Sequence, residues 1–233
     1  MTDVRPTTVT DDRERWNAKF LAGEAQSVEP DPLLVEVCAN LAPGRALDLA
    51  GGAGRHALWL AQRGWHAVIS DISDEGLALA AKRAQEAGLS LTMRREPAAE
   101  TLAWASATER FDLILVFWCL LRDQFPAFPA LLAPRGLLVY KTYTTEHARY
   151  TEGHSLRTAL DPGELRAAFP ALNTILYREA NGVAELVARS GYEASLGPVR
   201  ANRSTSTHCP FRSARHTTRP PSARAIMAGG KSR

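Results

Sequence analysis

Cysteine is scarce in this 233-residue chain: Cys38, Cys119 and Cys209 are odd in number, far apart and free of C-x-x-C spacing. A disulfide framework and a cysteine zinc site are both disfavoured, and a reducing, cytoplasmic setting is the expectation. Long hydrophobic runs are also missing. The longest, Phe111 to Leu121, contains Asp112 and is too short to span a bilayer; it reads as a buried strand with its exit loop. The opening residues MTDVRPTTVTDDRERW lack the apolar stretch of a secretory leader. No internal repeat is visible, and 45% hydrophobic with 23% charged residues excludes a fibrous or wholly disordered chain.

An excess of one charge sign is absent only on average. The chain carries 28 basic and 25 acidic side chains, formally +3. Residues 197–233 hold seven arginines, one lysine and no acid, so this stretch is +8 and the rest of the chain is −5. Beyond Tyr192 the periodicity of helix and strand disappears, and Arg, Ser, Thr and Pro dominate. The expected organisation is a disordered terminus over 1–11, one domain over 12–196 and a basic disordered tail over 197–233. Eight cations suit phosphates, but Phe211 is the tail's only aromatic, so no stacking platform accompanies the charge. Nucleic acid is therefore not the expected partner of the acidic body, and neither is a membrane. The abrupt change of composition also fits translation out of frame in a GC-rich gene.

Within the body, strands and helices alternate. Asp12–Phe20 is expected to be helical, as is LLVEVCANL after Pro32. Strands are expected at Arg45–Leu49, His66–Asp71, Ser90–Arg94, Phe111–Phe117 and Gly136–Thr142. HALWLAQR, stopped by Gly64, and the run opened by Ser73 and stopped by Gly88 supply intervening helices. This alternation predicts βαβ units with right-handed crossovers. A short helix follows Asp161-Pro162-Gly163-Glu164. Then Thr174–Glu179 and Val183–Arg189 flank Asn181-Gly182, a strong hairpin signal. The predicted fold is α/β: a Rossmann-like, doubly wound, mostly parallel seven-stranded sheet with an antiparallel C-terminal hairpin.

The chemistry concentrates in ALDLAGGAGRHALWLAQRGWHAVISDIS. A strand ends in Asp48, the chain turns through Ala50-Gly51-Gly52-Ala53-Gly54, and a helix begins. Glycines there are expected to let the backbone approach a ligand. Asp71 ends the next strand, where a carboxylate can accept from both hydroxyls of a ribose. The pattern is that of a nucleoside site. Gly52-x-Gly54-x-x-Ala57 also matches the dinucleotide fingerprint, so an NAD-dependent oxidoreductase is an alternative. Electrostatics favours another ligand. Asp48 beside the loop would repel a pyrophosphate, yet suits the cationic amino group of S-adenosyl-L-methionine, which carries no phosphate.

These residues resemble motif I of class I S-adenosylmethionine-dependent methyltransferases, with Ala50 in place of the first glycine. Asp-Leu-Ala-Gly-Gly-Ala-Gly-Arg-His, an early Arg-Trp-Asn and a late Pro-Gly-Glu-Leu are similar to the tellurite-resistance and thiopurine-methyltransferase-like branch, from about Trp16 to Ser190. The resemblance implies that Asp48 with Ala50, Gly51, Gly52 and Gly54 holds the methionyl part. It further implies that Asp71 holds the ribose, Ile72 packs on the adenine and Glu96 bonds the adenine amine. Phe117 and Trp118 would floor the pocket near the sulfonium, with Trp16 and Arg55 as further contacts. No Asn-Pro-Pro-aromatic tetrapeptide of the nucleic-acid amino-methyltransferases occurs, so a small-molecule methyl acceptor is expected.

Blander readings compete at several positions. Trp16, Phe117 and Trp118 also read as core or helix-docking aromatics, and Cys119 as a small buried filler. His147 and His154 with Glu146 and Glu152 match no metal-ligand spacing, so a surface loop is expected there and no metal. A soft acceptor needs no general base; for an amine or hydroxyl, Asp123, Glu146, His147 and His154 are candidates, and no catalytic residue is singled out. A cofactor-binding module without activity has the same sequence signature. The oligomeric state is not legible.

Overall fold

The computed structural model describes residues 9–152 and 156–191. The expected basic tail, most of the expected disordered terminus and His154 lie outside the described residues. The first helix, α1 (Val9–Leu21), begins three residues before the expected start at Asp12. Helix α2 (Pro32–Cys38) is capped by Asp31, whose carboxylate accepts from the Leu33 N–H, with Pro32 in the first turn.

Five strands form the parallel part of the sheet: β1 (Arg45–Leu49), β2 (His66–Asp71), β3 (Thr92–Arg95), β4 (Phe111–Phe117) and β5 (Leu132–Tyr143). Between them run α3 (Arg55–Ala61), α4 (Asp74–Glu86), α5 (Ala98–Thr108) and a 3-10 turn (Arg122–Ala127) leading into α6 (Phe128–Leu131). Short helices α7 (Ala148–Thr151) and α8 (Glu164–Ala167) precede the hairpin of β6 (Leu172–Ala180) and β7 (Val183–Ser190). Spatial order is β3-β2-β1-β4-β5-β7-β6, with β7 antiparallel to both its neighbours. Asn181 and Gly182 turn the hairpin at φ +52° and +70°, the left-handed pair that a two-residue connection requires.

Alternation along β4 shows how the core is divided. Leu113, Leu115 and Phe117 face α2 and α3, packing with Leu33, Leu34, Leu60 and Val139. Ile114 and Val116 face the other layer, with Leu47, Leu49, Leu102, Phe128 and Tyr140. A strand buried on both faces needs no alternation of polarity, which is why β4 reads as an unbroken apolar run from Leu113 to Phe117.

Strand β3 runs over Thr92–Arg95 rather than Ser90–Arg94, and two further elements differ more from expectation. Strand β5 begins at Leu132, four residues early. Phe111 pairs with Leu132 and then Leu113 with Leu137, so a bulge carries Pro134-Arg135-Gly136 past β4, with Arg135 at φ +64°. Helix α5 was not expected; Pro97 stands at its N-terminal boundary, and Leu102 and Ala105 bury its inner face. Among the described residues no helix is long and apolar enough to cross a membrane.

Candidate functional site

The strands β1, β2 and β4 end at one edge of the sheet, where parallel α/β folds bind their ligands. The register sets Asp48 beside Ile69 of β2 and Leu115 of β4. The β1–α3 loop leaves that edge through left-handed turns at Ala50 (φ +55°), Gly52 (+53°) and Gly54 (+78°). Ala50 is thus a non-glycine residue in a conformation that costs an L-residue about 1–2 kcal/mol.

The loop is held from within. Gly51 N–H donates to the Ser70 carbonyl (3.1 Å) and Gly54 N–H to the Gly51 carbonyl (2.9 Å). Asp71 joins two loops: Oδ2 accepts from Gly52 N–H and Oδ1 from Ser73 N–H, both at 2.8 Å. Burial pushes the Asp71 carboxyl above its ordinary range, against the pull of these two backbone donors.

The glycines make room for the protein's own side chains. A Cβ on Gly51 would lie 2.8 Å from Asp48 Oδ2 and from Ile69 Cγ1, and one on Gly54 2.9 Å from Ala80 of α4. On Gly52 it would lie 2.9 Å from the ring of Phe20, and on Gly76 of α4 2.8 Å from the same ring. The missing side chains make room for protein, with Phe20 of α1 wedged between two glycines. What remains to face a ligand is the loop's backbone. Phe20 was not singled out in the sequence; an aromatic spaced three and four residues from Asn17 and Trp16 on α1 is the signal it offered.

Asp48 is 1% exposed and lies behind Gly51. Its Oδ2 accepts from Ala57 N–H (3.2 Å) in the first turn of α3, a helix whose N-terminal residue Gly54 has no capping side chain. The carboxylate therefore caps α3 from the preceding strand. Its Oδ1 is 3.9 Å from Nδ1 of His56, which is equally buried. The imidazole stacks at 4.2 Å on the ring of Phe117, and its Nε2 is enclosed without a hydrogen-bond partner among the described residues. A buried polar atom left unbonded in this way is uncommon in a folded protein. His56 also escaped sequence reasoning, although a histidine on the inward side of an apolar helix was its mark.

Helix α1 is latched to this edge. Arg13 Nε donates to the Ile72 carbonyl (3.1 Å). Asn17 Oδ1 accepts from Ser73 Oγ (2.7 Å) and Glu75 N–H (3.3 Å), while its Nδ2 donates to Asp74 (3.3 Å). In the Arg-Trp-Asn segment the asparagine thus makes the polar contacts with the loops. Trp16 is half-buried on α1, 6.3 Å from the ring of Phe20, with Lys19 over its face. Ile72 stands half-buried directly after Asp71. Glu96 stands at the exit of β3, directly after Arg95, the register partner of Asp71; Arg94 grips both its oxygens (2.5 and 3.0 Å) and Thr101 donates to it, which together hold its carboxyl below the usual range. Arg55 is half-buried in the first turn of α3.

At the exit of β4, Trp118 takes φ +61° and donates its N–H to the Lys141 carbonyl (2.7 Å). Tyr140 steadies the next turn, accepting from Leu121 N–H and donating to the Cys119 carbonyl, both at 2.9 Å. Burial pushes the Cys119 thiol up to about 12, with Asp71 and Asp12 adding to the shift, so a thiolate nucleophile is disfavoured. Of the general-base candidates, Asp123 and Glu146 are exposed, while His147 packs on Tyr143 at 4.5 Å. No group of three His, Cys, Asp or Glu suited to a metal occurs among the described residues. A hollow of about 410 Å³ lined by Arg45, Trp65, His66 and Ser90 lies at the opposite edge of the sheet, away from these groups.

Residues 46–134, from β1 to the start of β5, match the family described as a methyltransferase domain. Uncharacterised proteins of Mycobacterium tuberculosis and Mycobacterium bovis are each 33% identical over 116 residues, covering 49% of this chain and 41% of theirs. The chain thus spans about two fifths of the length of the curated relatives it matches. Among solved structures, TehB from Haemophilus influenzae superposes with a TM-score of 0.61 at 14% identity, over 74% of this chain and 66% of that one. The N-methyltransferase NodS from Bradyrhizobium japonicum, in complex with S-adenosyl-l-homocysteine, gives 0.60 at 16% identity, over 77% and 98%. Magnesium protoporphyrin IX methyltransferase from Synechocystis, with S-adenosylmethionine bound, gives 0.57 at 17% identity, over 81% and 100%. At these identities the likeness establishes the fold, a Rossmann-like, mostly parallel seven-stranded sheet with an antiparallel C-terminal hairpin.

Proposed function

We propose that this chain is an S-adenosyl-L-methionine-dependent methyltransferase acting on a small-molecule acceptor. One observation carries the choice of cofactor. The β1–α3 loop has Gly51, Gly52, Gly54 and Ala57 N–H groups engaged with the protein itself, and two carboxylates, Asp48 and Asp71, beside it. A pyrophosphate needs free donors and positive potential at such a loop. A ribose needs acceptors, which the Asp71 carboxylate supplies, and an ammonium needs acceptors and negative potential, which the loop's backbone carbonyls and the buried Asp48 charge behind them supply. The residues present therefore fit S-adenosylmethionine better than NAD, and the family match over 46–134 points the same way.

Asp71 would hold the ribose hydroxyls, Ile72 the adenine face, and the loop from Ala50 to Gly54 the methionyl part, with Asp48 acting from behind it. Asp48 sets the loop and the imidazole of His56 rather than touching the ligand, and the unbonded Nε2 is the polar atom left on that side. Phe117 would lie near the sulfonium. Glu96, gripped by Arg94, keeps lone pairs for an adenine amine only in competition with that arginine. When bound, the cofactor supplies a methyl on a cationic sulfur that departs as a neutral thioether, so no acid is required of the protein. The chain's contribution is to orient an acceptor's lone pair in line with that carbon and to exclude water.

Calorimetry with S-adenosylmethionine, S-adenosylhomocysteine and NAD on the full chain tests the reading. The first two are expected to bind and NAD is not; binding of NAD alone overturns it. Asp71→Ala is expected to weaken the nucleoside ligands at least about tenfold, the loss of a charge-assisted hydrogen-bond pair. The same fold carries the 4+2 cyclase SpnF (TM-score 0.62, 15% identity). Fold alone does not fix chemistry. Radiolabelled methyl transfer across thiols, phenols, amines and carboxylates separates an active enzyme from a cofactor-binding module.

A further inference from the structure

The exits of β4 and β5 carry a second cluster, which the cofactor assignment leaves unused. Trp118 is bulky and stands at φ +61°, a conformation that persists only where the surroundings impose it. The imposed turn sets the indole over the end of β5, with its ring 4.7 Å from that of Tyr143. Tyr143 lies 4.5 Å from His147 and 6.1 Å from Tyr150. The guanidinium of Arg149 sits on two of these rings, 4.7 Å from the centre of Tyr143 and 5.3 Å from that of Tyr150. Tyr150 is fixed from behind, its hydroxyl donating to the Thr158 carbonyl at 3.1 Å.

The two cations of this cluster differ in one respect. Lys141, 5.1 Å from the Trp118 ring, is held by Asp31 (3.0 Å) and Glu185 (2.8 Å). Arg149 has no acidic partner of that kind among the described residues, and its Nε is enclosed with no hydrogen bond. A guanidinium held against aromatic rings is oriented at little further entropic cost, and its planar fork matches a carboxylate through two parallel hydrogen bonds. Lys141 and Arg149 already engage the quadrupoles of Trp118 and Tyr143, so the rings have little to offer an ammonium acceptor. They offer instead a wall for a flat apolar body.

We propose that Trp118, Tyr143 and Arg149 form the acceptor subsite, and that the acceptor is a small planar aromatic carboxylate. Its ring lies along Trp118 and Tyr143 and its carboxylate on Arg149. Tyr143 stands 4.7 Å from both the indole and the guanidinium, so a single planar acid beside it has a ring partner and a cation partner within reach. This rests on the methyl-transfer reading, which puts the reacting carbon near Phe117, the residue before Trp118. A phosphate is less well matched, because one unpaired cation faces the cluster where a dianion calls for more.

The test is calorimetry on the full chain with salicylate and its neutral isostere salicylamide, with and without S-adenosylhomocysteine. Salicylate is expected to bind about tenfold more tightly, the worth of one charged bidentate contact, and this preference should shrink with added salt. Arg149→Gln is expected to erase the preference, Arg149→Lys to keep part of it, and Trp118→Ala to weaken both probes alike. Equal binding of the two probes to the unaltered chain overturns the proposal, as does a preference that survives Arg149→Gln. Inorganic phosphate competing as well as salicylate would make this a simple oxyanion site and also overturns it. Should Arg149→Gln melt far below the parent, the probe comparison on the unaltered chain decides. If salicylate is preferred while S-adenosylhomocysteine does not bind, the methyl-transfer reading fails and the subsite stands. If S-adenosylhomocysteine binds without any probe preference, the subsite alone fails.

Discussion

Replacing Gly52 with alanine separates a glycine kept for protein packing from one kept for a ligand. The backbone at φ +53° costs an L-residue about 1–2 kcal/mol. Ala50 bears the same cost at φ +55° one turn earlier, so this contribution is tolerable by itself. The new methyl would lie 2.9 Å from Cζ of Phe20, a buried ring that also lies close against Gly76. Overpacking of this kind costs about 1–3 kcal/mol. The sum is roughly 2–5 kcal/mol, which lowers the thermal midpoint of a domain this size by about 4–20 °C. Phe20→Leu shortens the obstructing side chain, so the double variant should recover about 1–2 kcal/mol relative to the sum of the single changes, leaving the backbone contribution. Thermal melts followed by circular dichroism on the four proteins of the cycle supply the numbers. Strict additivity would refute the wedge. A Gly52→Ala protein that melted like the parent but lost S-adenosylhomocysteine would show that the Cβ projects toward ligand.

Other consequences are open to measurement. Burial raises the Asp71 carboxyl, so the folded chain takes up this proton at higher pH than the unfolded chain does. The group's contribution to stability therefore increases as pH falls through the raised value toward the unfolded one. Its capacity to accept from a ribose falls over the same window, so calorimetric affinity for S-adenosylhomocysteine should weaken as pH is stepped down from neutral; an affinity flat through that range contradicts the role given to Asp71. Ala50→Gly removes about 1–2 kcal/mol of left-handed strain against about 0.5–1 kcal/mol of added unfolded-state entropy, so a slightly higher midpoint is expected in a thermal melt. Asn17→Ala deletes three hydrogen bonds between α1 and the start of α4, at a cost of about 1–3 kcal/mol. Hydrogen exchange should show faster amide exchange confined to α1, and a uniform increase across the sheet would argue against a local latch.

Strands β1, β2 and β4 were legible to the residue, because RALDL, HAVISD and FDLILVF are apolar runs covered on both faces and bounded by turn residues. The hairpin was legible in Asn181-Gly182, where both residues need positive φ. The start of β5 was hidden by Pro134 and Gly136, which read as breakers although a bulge carries them through. Helix α5 was hidden by its composition: AAETLAWASAT gives little contrast between an inner and an outer face. At the site, the sequence named the chemical types and missed the directions. A carboxylate four residues before Gly52 was visible; its burial behind Gly51 depends on a fold of the loop that spacing does not encode. The contacts of Arg13, Asn17 and Phe20 with that edge join residues more than thirty positions apart in the chain, beyond the reach of any local pattern.

The position of β7 bears on how the protein comes into being. The strand formed last in the described sequence lies inside the sheet, between β5 and β6, rather than at its rim. During synthesis the twelve-residue β5 therefore waits with one flank of backbone donors and acceptors unmatched until Val183–Ser190 has left the ribosome. A nascent chain stalled before that point exposes a long apolar border open to a second copy, and self-association there competes with completion of the sheet.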